Sequence, residues 1–531
     1  MQYITIATLL IVLSFAMAVS PALAAKVTET DVYPTPAPAF HFPQNKQNES
    51  PMAVNPTDSN NVISGANDET EEPDCFISGG ASFCPFSPTV DTSGVYTTTD
   101  GGKTWTHQIL HWFSQVGLTS DGDPVVAFGP KADPNAPNGF SYANGARAYF
   151  GSLAGSPTFG PAAELLAVSF SDDKGLTWST PVVATTRNNP VNFNDKIAIW
   201  VDQNPNSPFF GNLYVSWTLF TGNPTLNFGE ANTFSPEPIV FARSTDGGQT
   251  FSKPNQLSPA FNTFPVGGRQ GSTIRTGPDG AVYVIWDGSQ NLQSAIQAAR
   301  SDDGGISFTR PFLVSFKSDV PSPFPGARFR VNSFPMADID QNAGSSGKVF
   351  VVWADYDFST GHGVVKMVTS SDKGQTWVGP TTVANVPGRS AFYPAVAVNP
   401  ADGSKVFVGF NAIDDKTAGT PPGAGVVFYD AYFAVSTNGG ASFGSPVKIS
   451  AKSSDPDASS TNSLGGQFIG DYNGASASSV AAWFSWTDSR NGATCSSVDS
   501  FRAGSTGRPN IYSTCPANFG NTDIFVAKIS W

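Results

Sequence analysis

The stretch Ser370-Ser371-Asp372-Lys373-Gly374-Gln375-Thr376-Trp377 contains a pattern that returns five more times along the chain. The pattern is Ser/Thr-x-Asp-x-Gly-x-Thr/Ser-aromatic, with Asn replacing Asp in the last copy. A tight turn needs a side-chain acceptor for its backbone N–H groups and a glycine that takes positive φ, so the pattern predicts six equivalent turns. Their acid positions are Asp100, Asp173, Asp246, Asp303, Asp372 and Asn438.

β-type runs flank the copies, such as 364–368 before the quoted stretch and 380–384 after it. Each copy is therefore predicted to form the corner of a β-hairpin. The six copies resemble the Asp-box, or BNR, repeat of the sialidase superfamily. The resemblance implies a β-propeller, and as a fold it covers essentially the whole mature chain.

A longer unit surrounds each turn, because successive acid positions lie 57 to 73 residues apart. A unit of about four strands at that period is typical of a propeller blade. A seventh unit, with strands at 481–486 and 524–529, lacks an outer strand, which 27–32 can supply by pairing the two ends of the chain. We therefore expect an all-β propeller of seven four-stranded blades; six is the alternative, because sialidases have six and the first unit is the least regular.

The N-terminus and the composition indicate an exported protein. Residues 1–25 combine an apolar run with a small-residue cleavage site, as a signal peptide does. We expect residues 26–50 to be an N-terminal segment that contains the ring-closing strand, and 51–531 to be the propeller. No later stretch is long and apolar enough for a membrane span.

Charge and cysteine usage restrict the possible partners. The net charge of −13 argues against nucleic acid or an anionic membrane as partner, and we expect a monomer that meets extracellular carbohydrate. In an oxidising compartment the four cysteines are expected to form two local disulfides, Cys75 with Cys84 and Cys495 with Cys515. With only four histidines in the chain, a histidine metal site is not expected.

Long connections collect on the face opposite the predicted turns, here called the loop face, and functional residues concentrate in such loops. Carboxylates can act as acid and base on a glycosidic bond, arginines bind carboxylates bidentately, and aromatic rings stack on sugars. On this basis we predict Asp287 and Asp355 as catalytic residues. The predicted substrate-binding residues are Arg269, Arg328, Arg389, Arg490, Trp217 and Trp286. Further members of the expected ring are Asp357, Asp414, Asp415, Asp488, Arg187 and Arg330. The acids of the six turns lie on the opposite face and are expected to be turn formers.

The sialidase resemblance implies further roles. In sialidases a glutamate-assisted tyrosine is the nucleophile and an aspartate is the acid/base. The order of residues would make Glu230 that glutamate and Tyr356 or Tyr393 the nucleophile, with Arg269 and Arg328 as later arginines of the carboxylate site. The first arginine of such a site belongs to an Arg-Ile-Pro motif, and the corresponding region, 40–46, contains no arginine.

Two functions remain open from the sequence. The first is a secreted, sialidase-like glycoside hydrolase that acts on an extracellular glycan. The second is a non-catalytic propeller that binds a glycan or protein at the cell exterior. No cofactor is expected, although a Ca²⁺ ion held by loop aspartates is compatible with both functions. Two loop-face carboxylates roughly 5–10 Å apart in a pocket would favour hydrolysis.

Overall fold

The computed structural model describes residues 26–33, 41–136, 138–156, 164–185, 192–221, 237–259, 268–342, 344–414, 416, 420–423 and 427–531. Within these ranges the chain forms seven antiparallel sheets, each built on four principal strands, and these sheets are the blades of a β-propeller. The seven blades confirm the favoured count. The predicted signal peptide, Arg187, Glu230 and Asp415 lie outside the described residues.

The first three blades follow one another along the chain. Blade 1 contains β2 Gln47–Asn48, β3 Met52–Asn55, β4 Asp58–Asp68, β7 Ser93–Thr98 and β8 Thr106–Ile109, and a separate hairpin, β5 Phe76–Ser78 with β6 Ala81–Phe83, lies between β4 and β7. Blade 2 contains β9 Thr119–Ser120, β10 Val125–Ala132, β11 Phe140–Gly155, β12 Leu165–Ser171 and β13 Val182–Val183. Blade 3 contains β14 Asn192–Val201, β15 Leu213–Thr221, β16 Ile239–Ser244 and β17 Asn255–Gln256.

The remaining blades repeat the same meander. Blade 4 contains β18 Gln270–Thr276, β19 Val282–Gln290, β20 Gln293–Ser301 and β21 Phe312–Phe316. Blade 5 contains β22 Met336–Ile339, β23 Val349–Asp357, β24 His362–Ser370 and β25 Val378–Ala384. Blade 6 contains β26 Arg389–Val398, β27 Val406–Asp414, β28 Tyr429–Ser436 and β29 Val447–Lys448. Blade 7 contains β30 Gly474–Ala477, β31 Ala481–Asp488, β32 Asp523–Ser530 and β1 Val27–Asp31.

The N-terminal strand closes the ring, as predicted. β1 pairs antiparallel with β32, so that Val27 lies opposite Ile529 and Asp31 opposite Phe525. The third and fourth strands of blade 7 therefore come from the two ends of the described chain, and no turn joins them. This explains why seven blades carry only six copies of the turn.

The six turns have the predicted hydrogen bonds. In the third, Asp246 Oδ1 accepts from the backbone N–H groups of Gln249 and Thr250, both at 3.0 Å, and Ser244 Oγ donates to the same oxygen at 2.7 Å. Gly248 has a φ of 88°, in the left-handed region that favours glycine. Since these carboxylates hold their own turns, they do not form a catalytic site.

The core lies between neighbouring blades, because each second strand has a sheet on both sides. The tryptophans near the ends of these strands are buried and pack on aliphatic residues of the adjoining blade. They are Trp217, Trp286, Trp353 and Trp486.

Both predicted disulfides are present: Cys75–Cys84 lies in the connection between β4 and β7 of blade 1, and Cys495–Cys515 in the connection between β31 and β32 of blade 7. Cys495 precedes α1 Ser496–Arg502, Cys515 follows α2 Ile511–Thr514, and the four cysteines share an apolar cluster with Phe42 and Phe519. Two 3₁₀ turns complete the helical elements of the described residues, at His111–Val116 and Pro456–Ala458. No helix in the described part of the chain is long and apolar enough to cross a membrane.

Candidate functional site

The inner strands of the seven blades enter a central channel from the loop face, and equivalent residues surround its mouth. In blade 3, Ile199 of the inner strand pairs with Val215 of the second strand, and Lys196 lies three residues before Ile199. Each other blade has one residue at the position equivalent to Lys196. We call these residues the mouth ring. They are Glu49, Asp123, Lys196, Gly271, Phe334, Tyr393 and Tyr472.

The backbone of the mouth ring is unusual. Five members have positive φ, and in blades 3, 4 and 6 the pairing with the second strand shifts register at this point. Left-handed backbone costs roughly 1–2 kcal/mol for a residue with a Cβ atom, so the surrounding structure must hold it in place. The five residues are Glu49, Asp123, Lys196, Gly271 and Tyr393.

Two carboxyl groups meet beside Lys196. The backbone N–H of Lys196 donates to Asp123 Oδ2 at 3.0 Å and to Asp195 Oδ1 at 2.8 Å, and the two carboxyl groups are hydrogen-bonded to each other. Burial, followed by the charge of Asp123, raises the pKa of Asp195 well above its usual range. The surroundings therefore favour the protonated form of Asp195, whose proton lies in the hydrogen bond to Asp123.

Glu49 supplies a third carboxyl group at the mouth. Its side chain is buried, with 2% of the residue exposed, and Oε2 has no hydrogen-bond partner. Burial, then the charges of Asp123 and Asp471, raise the pKa of Glu49 well above its usual range. Glu49 packs tightly against Gly470, where an added Cβ atom would lie 2.7 Å from Glu49 Cγ.

Asp471 has a contrasting environment. Arg330 binds its carboxylate bidentately, Nε to Oδ1 at 2.9 Å and Nη2 to Oδ2 at 2.5 Å. The charge of Asp471 in turn raises the pKa of the Arg330 guanidinium. Glu49 and Asp471 are thus neighbouring carboxyl groups in different environments, since burial favours the protonated form of Glu49 and Arg330 holds Asp471 in an ion pair.

Two tyrosines brace the mouth. Tyr472 reaches across the channel from blade 7, its hydroxyl donates to the carbonyl of Pro124 at 2.8 Å, and Lys196 Nζ lies 3.0 Å from its ring centroid. The Tyr393 hydroxyl has two carbonyl acceptors for its one proton, that of Arg330 at 2.8 Å and that of Gly470 at 2.7 Å. Burial raises the pKa of both hydroxyls well above the usual value, so both tyrosines act as hydrogen-bond donors and neither is poised as a nucleophile.

The channel below the mouth encloses a cavity of about 100 Å³. Its wall includes the mouth residues Lys196, Tyr393, Asp471 and Tyr472, together with the inner strands of several blades. A space of this size holds a few water molecules.

The predicted catalytic residues Asp287 and Asp355 lie on second strands, one strand farther out than the mouth ring. Asp287 pairs with Gln270, the residue before the mouth residue Gly271. Its Oδ1 meets Lys317 Nζ at 3.0 Å, and burial raises its pKa to about 7. Asp355 Oδ2 accepts from the Trp353 indole at 2.7 Å and from the Ser318 backbone N–H at 3.2 Å.

The ring of Tyr356 packs edge-on against Phe358. The neighbouring carboxylate, Asp357, caps the turn at Ser359.

The predicted substrate-binding arginines face carboxylates of the protein itself. Arg389 bridges Asp414 and Asp430 at 2.6 and 2.7 Å. The other pairs are Arg490 with Glu29 and Asp488, Arg328 with Asp457, and the buried Arg269 with the charge of Glu237. These guanidiniums do not converge on one anion site.

Trp217 and Trp286 have 1% and 0% of their surface exposed, so neither presents a ring face to a sugar. Their burial between blades explains this difference from the prediction, because the second strand on which each lies is covered on both sides.

Sequence reasoning missed Glu49, Asp123, Asp195 and Asp471. They come from four blades, and no local motif marks them. The available signal was the position in the repeat, because each of the four residues is a member of the mouth ring or is adjacent to one in the sequence.

No protein-family model matches this chain. No curated protein matches it either. Among solved structures, the similar ones include sialidases and arabinanases. A Hadza microbial sialidase is 14% identical, with a TM-score of 0.42 over 79% of this chain and 73% of its own. The Penicillium chrysogenum α-L-arabinanase is 13% identical, with a TM-score of 0.41 over 73% and 93%. The leech intramolecular trans-sialidase is 11% identical, with a TM-score of 0.41 over 70% and 66%. These values are too low to transfer an activity to this chain.

Proposed function

We propose that the protein is a secreted glycoside hydrolase with a sialidase-like propeller, and that it cleaves an extracellular glycan at the mouth of its central channel. The observation that carries this proposal is the contrast between Glu49 and Asp471. Glycosidic cleavage uses two neighbouring carboxyl groups, and here burial favours the protonated form of one while an arginine pairs with the other.

The roles follow from the two environments. Glu49 donates its proton to the leaving oxygen of the glycosidic bond, because its buried carboxyl group stays protonated where an ordinary glutamate has ionised. Asp471 acts on the opposite side of the sugar, as the base that activates water or as the nucleophile. Arg330 keeps Asp471 in position through two hydrogen bonds.

Export is supported by the two disulfides, which persist in oxidising compartments. The apolar run within residues 1–25 supports the same conclusion as a sequence feature.

Sugar release across neutral, acidic and basic glycans tests the proposal, with the wild type beside Glu49→Gln and Asp471→Asn. Both substitutions keep the side-chain shape while removing the ionisable group, and each should lower turnover by about 10²–10⁴-fold. Asp402→Asn, in an exposed turn on the opposite face, serves as the matched control and should keep full activity.

Asp287→Asn and Asp355→Asn complete the set, because the sequence predicted these residues as catalytic. Loss of turnover in Asp287→Asn while Glu49→Gln stays active would move the site to blade 4 and overturn the assignment. Saturable glycan binding without release from any substrate would favour the non-catalytic propeller instead.

A further inference from the structure

The mouth of the channel is rich in acid, and its cations are few. Four carboxyl groups lie there, while the nearby cations are Lys196 and Arg330. Arg330 is already engaged by Asp471. Lys196 Nζ lies over the ring of Tyr472, and no carboxylate of the described residues is within ion-pair distance of it. The four carboxyl groups are Glu49, Asp123, Asp195 and Asp471.

Among the described residues of the mouth, a negatively charged sugar could pair only with Lys196, which lies among four carboxyl groups. A sialic or uronic acid would bring a further carboxylate toward these acids, and like charges at such distances repel. The predicted loop-face arginines of the described residues are turned toward carboxylates of the protein. The electrostatics therefore favour a ligand that carries positive charge.

The Asp123–Asp195 pair has the geometry of a cation subsite. The backbone N–H of Lys196 donates to both carboxyl groups and holds them in position. A proton lies in the hydrogen bond between the two carboxyl groups, and a cationic donor could bind there in its place. Beside them Glu49 Oε2 is buried and has no hydrogen-bond partner. Because a buried polar atom without a partner costs about 1–3 kcal/mol, this oxygen also favours a bound donor.

We propose, on the basis of the proposed hydrolase function, that the Asp123–Asp195 carboxyl pair binds the ammonium group of a basic sugar, and that the substrate is a glycan containing free amino sugars. An ammonium group offers three donors and one positive charge. It can bind the two aspartates and the open oxygen of Glu49 without further partners.

An ammonium fits better than a metal ion. No three His, Cys, Asp or Glu side chains in the described ranges converge closely enough to hold a metal. A primary ammonium bonds at hydrogen-bond distance and tolerates more widely spaced oxygens. The Tyr472 ring already accepts the Lys196 ammonium, which shows that a cation is stable against this face.

Binding of the ammonium should displace the proton that the aspartates share. The ionisable groups that face the pair are Glu49, Glu164, Asp121 and Asp471, which are acidic, and Lys196 and Arg330, which are basic. The acidic groups outnumber the basic ones, so the electrostatic field at the aspartate pair favours retention of its proton until a cation replaces that proton. The amine ligand stays charged, and one proton is released to solvent.

Calorimetry with a glucosamine tetramer and its N-acetylated counterpart tests this inference at about pH 6, where the amine is protonated. Titrations in two buffers of different ionisation enthalpy report the protons released.

We expect the free amine to bind at least about tenfold tighter, with up to one proton released, whereas the acetylated tetramer should release none. Asp195→Asn keeps an oxygen for the Lys196 N–H and should remove most of this preference, and Asp123→Asn provides a second variant at the same pair.

Turnover of the two tetramers, followed separately, distinguishes the two proposals. Preference for the amine without cleavage would support the subsite and overturn the hydrolase. Cleavage with equal affinity for both tetramers, or a preference that survives in both aspartate variants, would overturn the subsite and leave the hydrolase standing.

Discussion

Arg330 links the two carboxyl groups on which the proposed reaction depends. Its guanidinium binds Asp471 directly and also lowers the pKa of Glu49 slightly, against the larger effect of burial. A nearby positive charge favours the ionised form of a carboxyl group. The charge state of the mouth therefore depends on one exposed arginine, of which 54% of the side chain is accessible.

Replacing Arg330 with Gln should move the pH profile of kcat/KM upward. Loss of the guanidinium removes a charge that lowers the pKa of Glu49, so the basic limb of the profile, which reports loss of the Glu49 proton, shifts to higher pH. Arg330→Lys keeps the charge without the bidentate geometry and should shift the limb less. A basic limb that stays at the wild-type position in Arg330→Gln would show that Glu49 does not control it.

The turn residues and the mouth residues show what a sequence can reveal about single positions. Asp246 and its equivalents were predictable, because all contacts of the turn lie within a few residues of one another. The partners of Glu49 lie up to residue 471, on another blade, and its left-handed backbone leaves no local signature. The arginines were recognised as loop-face residues, but their pairing with carboxylates depends on tertiary contacts.

The strand β1 is the element that closes the ring, and a group of buried acids lies at its end. Asn491 Nδ2 donates to Asp31 Oδ2 at 3.2 Å and to Asp523 Oδ2 at 2.8 Å, so the two carboxyl groups lie close together. Burial raises the pKa of Asp31 to about 6, and burial together with the charge of Asp31 raises that of Asp523 to about 8. The position of β1 was predictable from its β-type sequence, whereas this carboxyl pair was not.

This pair should make the stability of the protein fall as pH rises. The folded pKa values lie above the unfolded ones, so the folded state holds these protons more tightly. Their stabilising contribution is complete at low pH and disappears as pH rises through about 6 and then about 8. Thermal unfolding measured at pH 5 and pH 9 should show a smaller loss of Tm in Asp31→Asn and Asp523→Asn than in the wild type.

Asp402→Asn provides the control, because Asp402 is exposed and is not part of a buried carboxyl pair. This variant should leave the change in Tm between pH 5 and pH 9 as it is in the wild type. If both Asp31→Asn and Asp523→Asn lose as much stability with pH as the wild type does, the pair does not couple ring closure to pH.

At the scale of the whole molecule, the ring has six joined blades and one blade closed by strands from opposite ends of the chain. The number of blades was predictable because the second strand repeats seven times with a similar sequence. The channel mouth was not, since it exists only once the inner strands of all blades converge. The residues that form the channel mouth are distributed over the chain, with one or two in each repeat.

The register of blade 7 shows what a seventh turn would require. Phe484 and Trp486 face blade 6 as Val351 and Trp353 face blade 4, so Ala482 corresponds to Val349. Ile529 pairs with Ala482 as Ser370 pairs with Val349, and Ile529 also pairs with Val27. Ile529 therefore corresponds to Ser370, Trp531 to Asp372, Lys26 to Thr376 and Val27 to Trp377. A seventh turn would need the five residues 372–376, Asp-Lys-Gly-Gln-Thr, between Ser530 and Val27.

A circular permutant tests this view of the fold. Asp-Lys-Gly-Gln-Thr replaces Trp531 and Lys26 and joins Ser530 to Val27, and new ends open at Gly79–Gly80, an exposed hairpin tip that the Cys75–Cys84 disulfide spans. Closing β1 onto β32 then requires a short hairpin loop instead of a contact between distant ends, so the entropy cost of closure falls. We expect cooperative unfolding with a Tm at or above that of the parent, whereas a five-residue Gly/Ser linker, which lacks the hydrogen bonds of the turn, should give a lower Tm. Equal Tm values for the two linkers would show that the turn sequence does not stabilise ring closure. The turns would then form because the strands of a blade bring their ends together, and they would not themselves stabilise the blade.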